Sequence, residues 1–538
     1  MVTMGVRRQT RPRRRTALTA AAVASLLTAG CTTGSAVAAA PPPQPPPQLT
    51  QPQVDDAVGR LDRIVQDGMR RTGVPGVAVA VVHKDRVVYL KGFGERQAGH
   101  SGPVGPDTVF ELASLSKPLA STVVAGAVGK AIDWDDPVGT HLPGFALKDP
   151  WVTDHVTVAD LFAHRSGLPD HAGDLLEDLG YDRAYVLDHL RYEPLTAFRA
   201  SYAYTNFGVT AAGQAVANAT NTTWEKLAED TLYGPAGMNS TSSRFSDYDQ
   251  AGDKAATHVK DANGTWSARY VRDADAQSPA GGASSTARDM GTWLRLQLAN
   301  GKLDGKQIIP ADPLERTHLP EIVAQPPAAP AGRTGFYGLG WNVGYDDQGR
   351  LRLSHSGAFE LGANTNVTML PGEELGIAVL TNGAPVGLAD SVALDFFDTA
   401  QHGRPTTDWL TLVDKVYQQQ EQENRSPTDY AKPPQNAAAA RSDDAYTGTY
   451  DNDFYGPLTV TAAGGELTMK LGPKPTTFRL THFDGDTFSF ETTGENATGP
   501  SGVTFKVGPG SQGAGDATAQ KVTVEAFDEN GLGTFTRP

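Results

Sequence analysis

Apolar residues recur at helical spacing near the start of the folded part of the chain. Val54, Val58, Leu61, Ile64, Val65 and Met69 share one helical face, and Gly73 with Pro75 ends the run. Val77–His83 and Arg86–Gly92 read as two strands joined at Lys84-Asp85, a hairpin. The strand pattern returns far downstream at Leu351–Ser356, Asn364–Leu370 and Leu375–Thr381, and an amphipathic helix follows from Leu388 to Ala400. Hairpins at both ends with helices between predict one antiparallel sheet completed by both ends of the domain, with a helical region inserted: an α+β fold.

The middle is helical and rich in loops. Its punctuation is Asp133-Trp134-Asp135-Asp136-Pro137, His164-Arg165-Ser166-Gly167-Leu168-Pro169, Tyr204-Thr205-Asn206, Gly234-Pro235-Ala236-Gly237-Met238 and Pro279-Ala280-Gly281-Gly282. Residues 403–441 turn polar and poor in aromatics and read as a linker with a helical start. Beyond it short alternating runs are separated by Gly and Asp turns: Leu458/Val460, Leu467/Met469/Leu471, Phe488/Phe490, Val503/Phe505/Val507 and Val522/Val524. They predict a small antiparallel meander or barrel over 442–538, an accessory domain without chemistry of its own. The division expected is therefore 54–402 for a main domain, 403–441 for a linker and 442–538 for the all-β tail.

Charge and cysteine usage narrow the setting. The formal net charge is −15, and the first forty residues hold six arginines and no acid, so the rest carries −21. That balance argues against a nucleic-acid partner. Arg7 to Arg15, an apolar run from Ala17 to Ala29 and the small residues ending at Ala38-Ala39-Ala40 have the layout of an export signal over 1–40. The Arg14-Arg15 pair permits a twin-arginine route. Residues 41–53 form a proline-rich spacer. Cys31 is the single cysteine, which excludes an internal disulfide. It follows Leu27-Thr28-Ala29-Gly30, which permits lipidation and is the one route to a membrane in this reading. An exported protein, secreted or held at the cell envelope, is expected.

Chemistry enters at Phe110-Glu111-Leu112-Ala113-Ser114-Leu115-Ser116-Lys117-Pro118, which reads as the end of a strand or a turn running into a helix that continues to Val128. If the helix begins near Ser114, Ser114 and Lys117 are one turn apart on one face. A serine hydroxyl becomes a useful nucleophile when a partly desolvated amine can take its proton. Alone, such a pair more often marks a serine cap with an exposed lysine. Two further motifs follow in order, Tyr204-x-Asn206 and His355-Ser356-Gly357. Together these resemble the serine β-lactamase and penicillin-binding-protein superfamily in its class C-like branch, over residues 55–402. The Asp135-Asp136-Pro137-Val138, His164–Pro169, Met238 and Gly282 stretches reinforce the resemblance.

The resemblance implies that Ser114 is acylated, that Lys117 is its proton partner and that Tyr204 is a base shuttling the proton, its pKa depressed by the neighbouring ammonium. It implies an oxyanion hole from the backbone N–H groups of Ser114 and Ala358. Asn206, His355, Gly357 and Ala358 would line the substrate site, Asn206 holding the substrate amide and Lys117. His164 would be a structural turn residue rather than a serine base. His355 stands where lysine is usual, and histidine is neutral for much of the range above its ordinary pKa. A histidine there, with a C-terminal β-domain, resembles the D-aminopeptidase branch. The expectation is a serine hydrolase of peptide or amide bonds, including those of D-residue peptides, acting on a small-molecule or peptide substrate. A β-lactamase, a carboxylesterase or acyltransferase, and a non-catalytic cell-wall or peptide-binding module are the alternatives. No Gly-x-Ser-x-Gly and no His-Glu-x-x-His occurs, and neither a metal nor a cofactor is expected. The oligomeric state is left open.

Overall fold

A computed structural model describes residues 48–329, 332–474, 476–508 and 518–538. The expected export signal, most of the proline-rich spacer and Cys31 lie outside the described residues.

The longer helices are α1 (Gln51–Thr72), α2 (Ser116–Ala127), α3 (Asn206–Ala219), α4 (Ala287–Leu298), α5 (Leu388–His402) and α6 (Trp409–Asn424). The main sheet is built from β1 (Gly76–His83), β2 (Arg86–Gly94), β3 (Ile322–Gln325), β4 (Gly335–Tyr337), β5 (Asn342–Tyr345), β6 (Leu351–Phe359), β7 (Ala363–Leu370) and β8 (Leu375–Thr381). Its order is β2-β1-β8-β7-β6-β5-β4-β3, antiparallel at each described pairing. The first hairpin and the last strands are thus neighbours, Val79 facing Val379 across the β1–β8 pair. Lys84 and Asp85 both take positive φ, 50° and 58°, which is the two-residue turn that matches strand twist.

Both faces of this sheet are covered, so its central strands read as continuous apolar runs rather than alternating ones. Val77, Val79 and Val81 face α1 and α5, packing with Leu61, Val65, Val392 and Phe396. Ala78, Ala80 and Val82 face the other way, into a core shared with α2, α3 and α4. Leu61 has no exposed surface, so Leu61→Ala should cost about 2–5 kcal/mol. Gly73 ends α1 at φ 75°, the left-handed cap that glycine supplies without strain.

The tail is a meander of eight strands, β9 (Gly448–Tyr450), β10 (Leu458–Ala463), β11 (Glu466–Leu471), β12 (Thr477–Asp484), β13 (Thr487–Glu491), β14 (Pro500–Val507), β15 (Ala519–Val524) and β16 (Thr534–Thr536). Asp451 and Thr536 exchange backbone hydrogen bonds of 2.8 and 2.9 Å, nearly closing the barrel. Within the stretch read as a linker, α6 is a packed helix. Leu410 is buried, Arg71 of α1 bonds Asp408 at 2.8 Å, and the Tyr417 hydroxyl donates to Asp390 of α5 at 3.1 Å.

Candidate active site

Ser114 sits in a 3₁₀ turn, Ala113–Leu115, that runs directly into α2. The helix proper starts at Ser116 rather than Ser114, but a 3₁₀ turn eclipses residues i and i+3. Lys117 is therefore brought under the Ser114 hydroxyl. Ala113 takes φ 49°, a left-handed conformation unusual for alanine, and packs against Ala274, Phe359 and Ala363. Two neighbours fix the turn from outside: Leu112 N–H donates to the Ala283 carbonyl at 2.9 Å, and Thr365 Oγ1 donates to the Leu112 carbonyl at 2.7 Å.

Lys117 has no exposed surface. Its Nζ lies 3.0 Å from Ser114 Oγ, 2.7 Å from Asn206 Oδ1 and 3.1 Å from the Ala280 carbonyl. Burial lowers its pKa to about 7, against the upward pull of Asp174. A neutral amine would give its two hydrogens to Asn206 and Ala280, which leaves its lone pair facing the Ser114 hydroxyl. Tyr204 closes the third side, its hydroxyl 2.8 Å from Ser114 Oγ and its ring 4.5 Å from Lys117 Nζ.

The protonation order differs from the sequence expectation. Burial pushes the Tyr204 hydroxyl well above a tyrosine's ordinary range, only partly offset by its hydrogen bond to Ser114. In a shared low-dielectric site the neutral amine beside a neutral phenol costs less than an ion pair. With its pKa of about 7 the Lys117 amine is neutral in about half of the molecules at neutral pH, and in that form it can accept a proton while Tyr204, held protonated by burial, serves as hydrogen-bond donor rather than phenolate. Asn206 departs in one respect too. Its Oδ1 holds Lys117 as expected, but its Nδ2, expected to meet a substrate amide, donates to Asp174 Oδ2 at 2.8 Å.

Asp174 and His171 were not singled out in the sequence. Asp174 is buried, and its Oδ2 also lies 2.8 Å from His171 Nδ1. A line of polar groups therefore runs from half-exposed His171 through Asp174 and Asn206 to Lys117. The acid-rich stretch Asp170–Asp178 reads as a solvated surface in sequence; no short motif marks it.

His355 faces this cluster on β6, its ring centroid 6.5 Å from that of Tyr204, but its nitrogens are occupied. Nδ1–H donates to the Ser356 carbonyl at 2.7 Å, so Nε2 accepts from the Tyr337 hydroxyl at 2.9 Å. Burial lowers its pKa to about 3, and it stays neutral. His355 thus sits at the expected substrate site as a neutral ring with both nitrogens engaged within the protein. Tyr337, unremarked in the sequence, is its partner. His164 makes no hydrogen bond to Ser114. Its Nδ1 accepts from Thr205 N–H at 3.1 Å and its ring packs 4.5 Å from Tyr204, which fixes the phenol.

Gly357 lies where β6 crosses the Ser114 turn. A Cβ there would come within 2.2 Å of the Leu112 carbonyl and 2.4 Å of Thr365 Oγ1, so only glycine lets strand and turn approach. Strand β5 pairs with β6 only up to Ser354, which leaves the edge carrying His355, Gly357 and Ala358 without a β5 partner. Among the described residues no three His, Cys, Asp or Glu side chains are grouped to hold a metal ion.

Comparison with known proteins accords with this arrangement. Residues 61–395 match the family described as Beta-lactamase, and residues 432–528 match a domain of unknown function, DUF3471. The unguisins hydrolase ungD of Aspergillus violaceofuscus is 24% identical over 470 residues, 80% of this chain and 82% of that protein. Protein flp of Staphylococcus aureus strain MW2 is 22% identical over 61% of this chain and 64% of its own length. Among solved structures, the octameric penicillin-binding protein homologue from Pyrococcus abyssi superposes with a TM-score of 0.54 at 18% identity, covering 87% of this chain and 98% of that one. The family match takes in more than half of the chain and every residue of the Ser114, Tyr204 and His355 motifs, and the chain belongs to the β-lactamase family within the serine β-lactamase and penicillin-binding-protein superfamily.

Proposed function

We propose that the protein is an exported serine hydrolase that forms an acyl-enzyme at Ser114 and cleaves peptide or amide bonds. The observation that carries this reading is the convergence of Lys117 Nζ and the Tyr204 hydroxyl on Ser114 Oγ, at 3.0 and 2.8 Å. As Oγ attacks the scissile carbonyl, its proton passes to the neutral Lys117 amine. The Tyr204 hydroxyl hands its proton to the leaving nitrogen and regains one from the Lys117 ammonium. Water then repeats the sequence on the acyl-enzyme, with the same groups in reverse. The backbone N–H groups of Ser114 and Ala358 are the proposed oxyanion donors.

Binding alone has no use for a buried amine with a depressed pKa, and a relative named as a hydrolase spans four fifths of the chain. The neutral, fully engaged His355 supports substrates without a carboxylate beside the scissile bond, amides of D-residue peptides among them, over β-lactams. The Arg-rich and apolar segments of residues 1–40 support a role outside the cytoplasm.

The test is a panel of D-amino-acid amides, short p-nitrophenyl esters and nitrocefin, run on wild type and Ser114→Ala side by side. Amide or ester turnover that disappears in Ser114→Ala is expected, with nitrocefin the poorest substrate. Turnover that survives intact in Ser114→Ala contradicts the reading.

A further inference from the structure

The connection between β13 and β14 of the barrel reaches into the main domain. Glu495 accepts the backbone N–H groups of Glu360 at 2.8 Å and Leu361 at 3.3 Å. These two residues form the turn immediately after β6, the strand that carries His355, Gly357 and Ala358. The contact is reciprocated: Asp178 of the main domain accepts N–H groups of Glu495 at 3.0 Å and Asn496 at 2.8 Å. Gly494, at φ 103°, lets the loop approach, since a Cβ there would lie 2.7 Å from the Asp178 carboxylate. Each side thus supplies a carboxylate to the other's free backbone donors.

Arg272 lies at the junction, 6% exposed. Its guanidinium bonds Glu177 at 3.0 Å, lies 3.7 Å from Asp178 and 3.9 Å from Glu495, and sits 5.0 Å over the Phe359 ring. A buried cation among three carboxylates is costly to disturb, unlike a screened surface pair. Phe359 in turn packs on Ala113, the strained residue next to Ser114. A continuous path of contacts runs from Glu495 through the 360–361 turn and Phe359 to the Ser114 turn.

We propose that the C-terminal barrel is a working part of the active site, and that Glu495, as a positioning residue, holds the end of β6 and the Ala113–Leu115 turn in register for acylation. The contact network exists whatever reaction Ser114 performs; its effect on acylation rests on the hydrolase reading above.

The full-length chain is compared with Glu495→Ala and Glu495→Gln, at a temperature at which circular dichroism shows each folded. Arg479→Ala is the control, removing a barrel ion pair to Glu466 that is largely exposed. Two readouts are taken: hydrogen exchange of peptides covering residues 110–118 and 355–362, and the rate at which a fluorophosphonate labels Ser114. Faster exchange in both peptides and at least tenfold slower labelling are expected in Glu495→Ala. In Glu495→Gln, which keeps one acceptor oxygen but puts an amide donor where the other accepted a backbone N–H, changes of the same sign and smaller size are expected. In turnover, the loss should fall on the acylation rate and leave KM little changed. Wild-type exchange in both peptides of both variants would overturn the proposal, as would wild-type labelling in both. Absence of labelling in wild type would sink the hydrolase reading instead, while exchange still decides whether the barrel holds the turn.

Discussion

Substituting Asp174 by asparagine isolates one charge in the site without disturbing its hydrogen bonds. Asp174 Oδ2 receives both contacts, from Asn206 and His171, while the buried Oδ1 has no partner. The asparagine carbonyl can therefore take the place of Oδ2, with the amide nitrogen replacing an atom that bonds nothing. What is lost is a negative charge one amide group away from Lys117 Nζ. At a separation on the order of 7 Å and an effective dielectric of 20, such a charge stabilises the ammonium by about 2 kcal/mol. That corresponds to between one and two pH units. His171, whose imidazolium Asp174 favours, and the nearby Arg272 and Glu177 offset part of it, and about one unit is expected. The assay is kcat/KM against pH on the best neutral substrate of the panel. Because Lys117 must be neutral to accept the Ser114 proton, kcat/KM rises with pH through a midpoint near the Lys117 value of about 7. In Asp174→Asn the ammonium is less favoured, so the midpoint moves about one unit towards acid and the plateau stays within about threefold. His171→Gln shows whether the imidazole sets the limb. A midpoint in Asp174→Asn that does not move, or that moves towards alkaline pH, would refute the assignment of the limb to Lys117.

Three further outcomes follow from the same geometry. Gly357→Ala should lower stability by about 2 kcal/mol or more, because its Cβ overlaps the Leu112 carbonyl, and should slow acylation as β6 is pushed off the Ser114 turn; thermal melts and labelling rates check both. Tyr337→Phe leaves His355 Nε2 buried without a partner and should cost about 1–3 kcal/mol, read from denaturant unfolding. Lys117 has a folded pKa below its unfolded one, so the unfolded chain binds more protons above about pH 7 and stability gains from this group as pH rises towards 10.5. Unfolding free energies of Lys117→Met should lack that gain.

The fold was legible where patterning is local. The α1 run, the Lys84-Asp85 hairpin, β8 and the alternating barrel strands each follow from side-chain period and turn chemistry, and the structure places them within a few residues. The Ser114, Lys117, Tyr204 and Asn206 cluster was legible because three short motifs occur in one order. Three features were not. The Tyr204 protonation state depends on burial, which only the packing of His164 on its ring, with Tyr202 and Tyr337 packed on His164 in turn, reveals. Asp174 lies in an acidic stretch of which the fold buries Asp174 and Glu177, and nothing in the sequence sets these two apart from their neighbours. Glu495 and Arg272 are far apart in sequence and meet only because the barrel docks beside Asp178. Likewise the polar composition of residues 403–441 allowed a helical start but hid the packing of α6, whose core contribution is chiefly Leu410 and whose anchors are hydrogen bonds to α1 and α5.

The central claim is that Ser114 is a nucleophile activated by Lys117 beside Tyr204. It is tested most directly by incubating wild type, Lys117→Met and Tyr204→Phe with a fluorophosphonate and locating the adduct by peptide mass spectrometry. One stoichiometric adduct on Ser114 is expected in wild type, with labelling at least about a hundredfold slower in Lys117→Met and slowed in Tyr204→Phe. An adduct on another residue, or equal labelling of Ser114 in all three proteins, would contradict it.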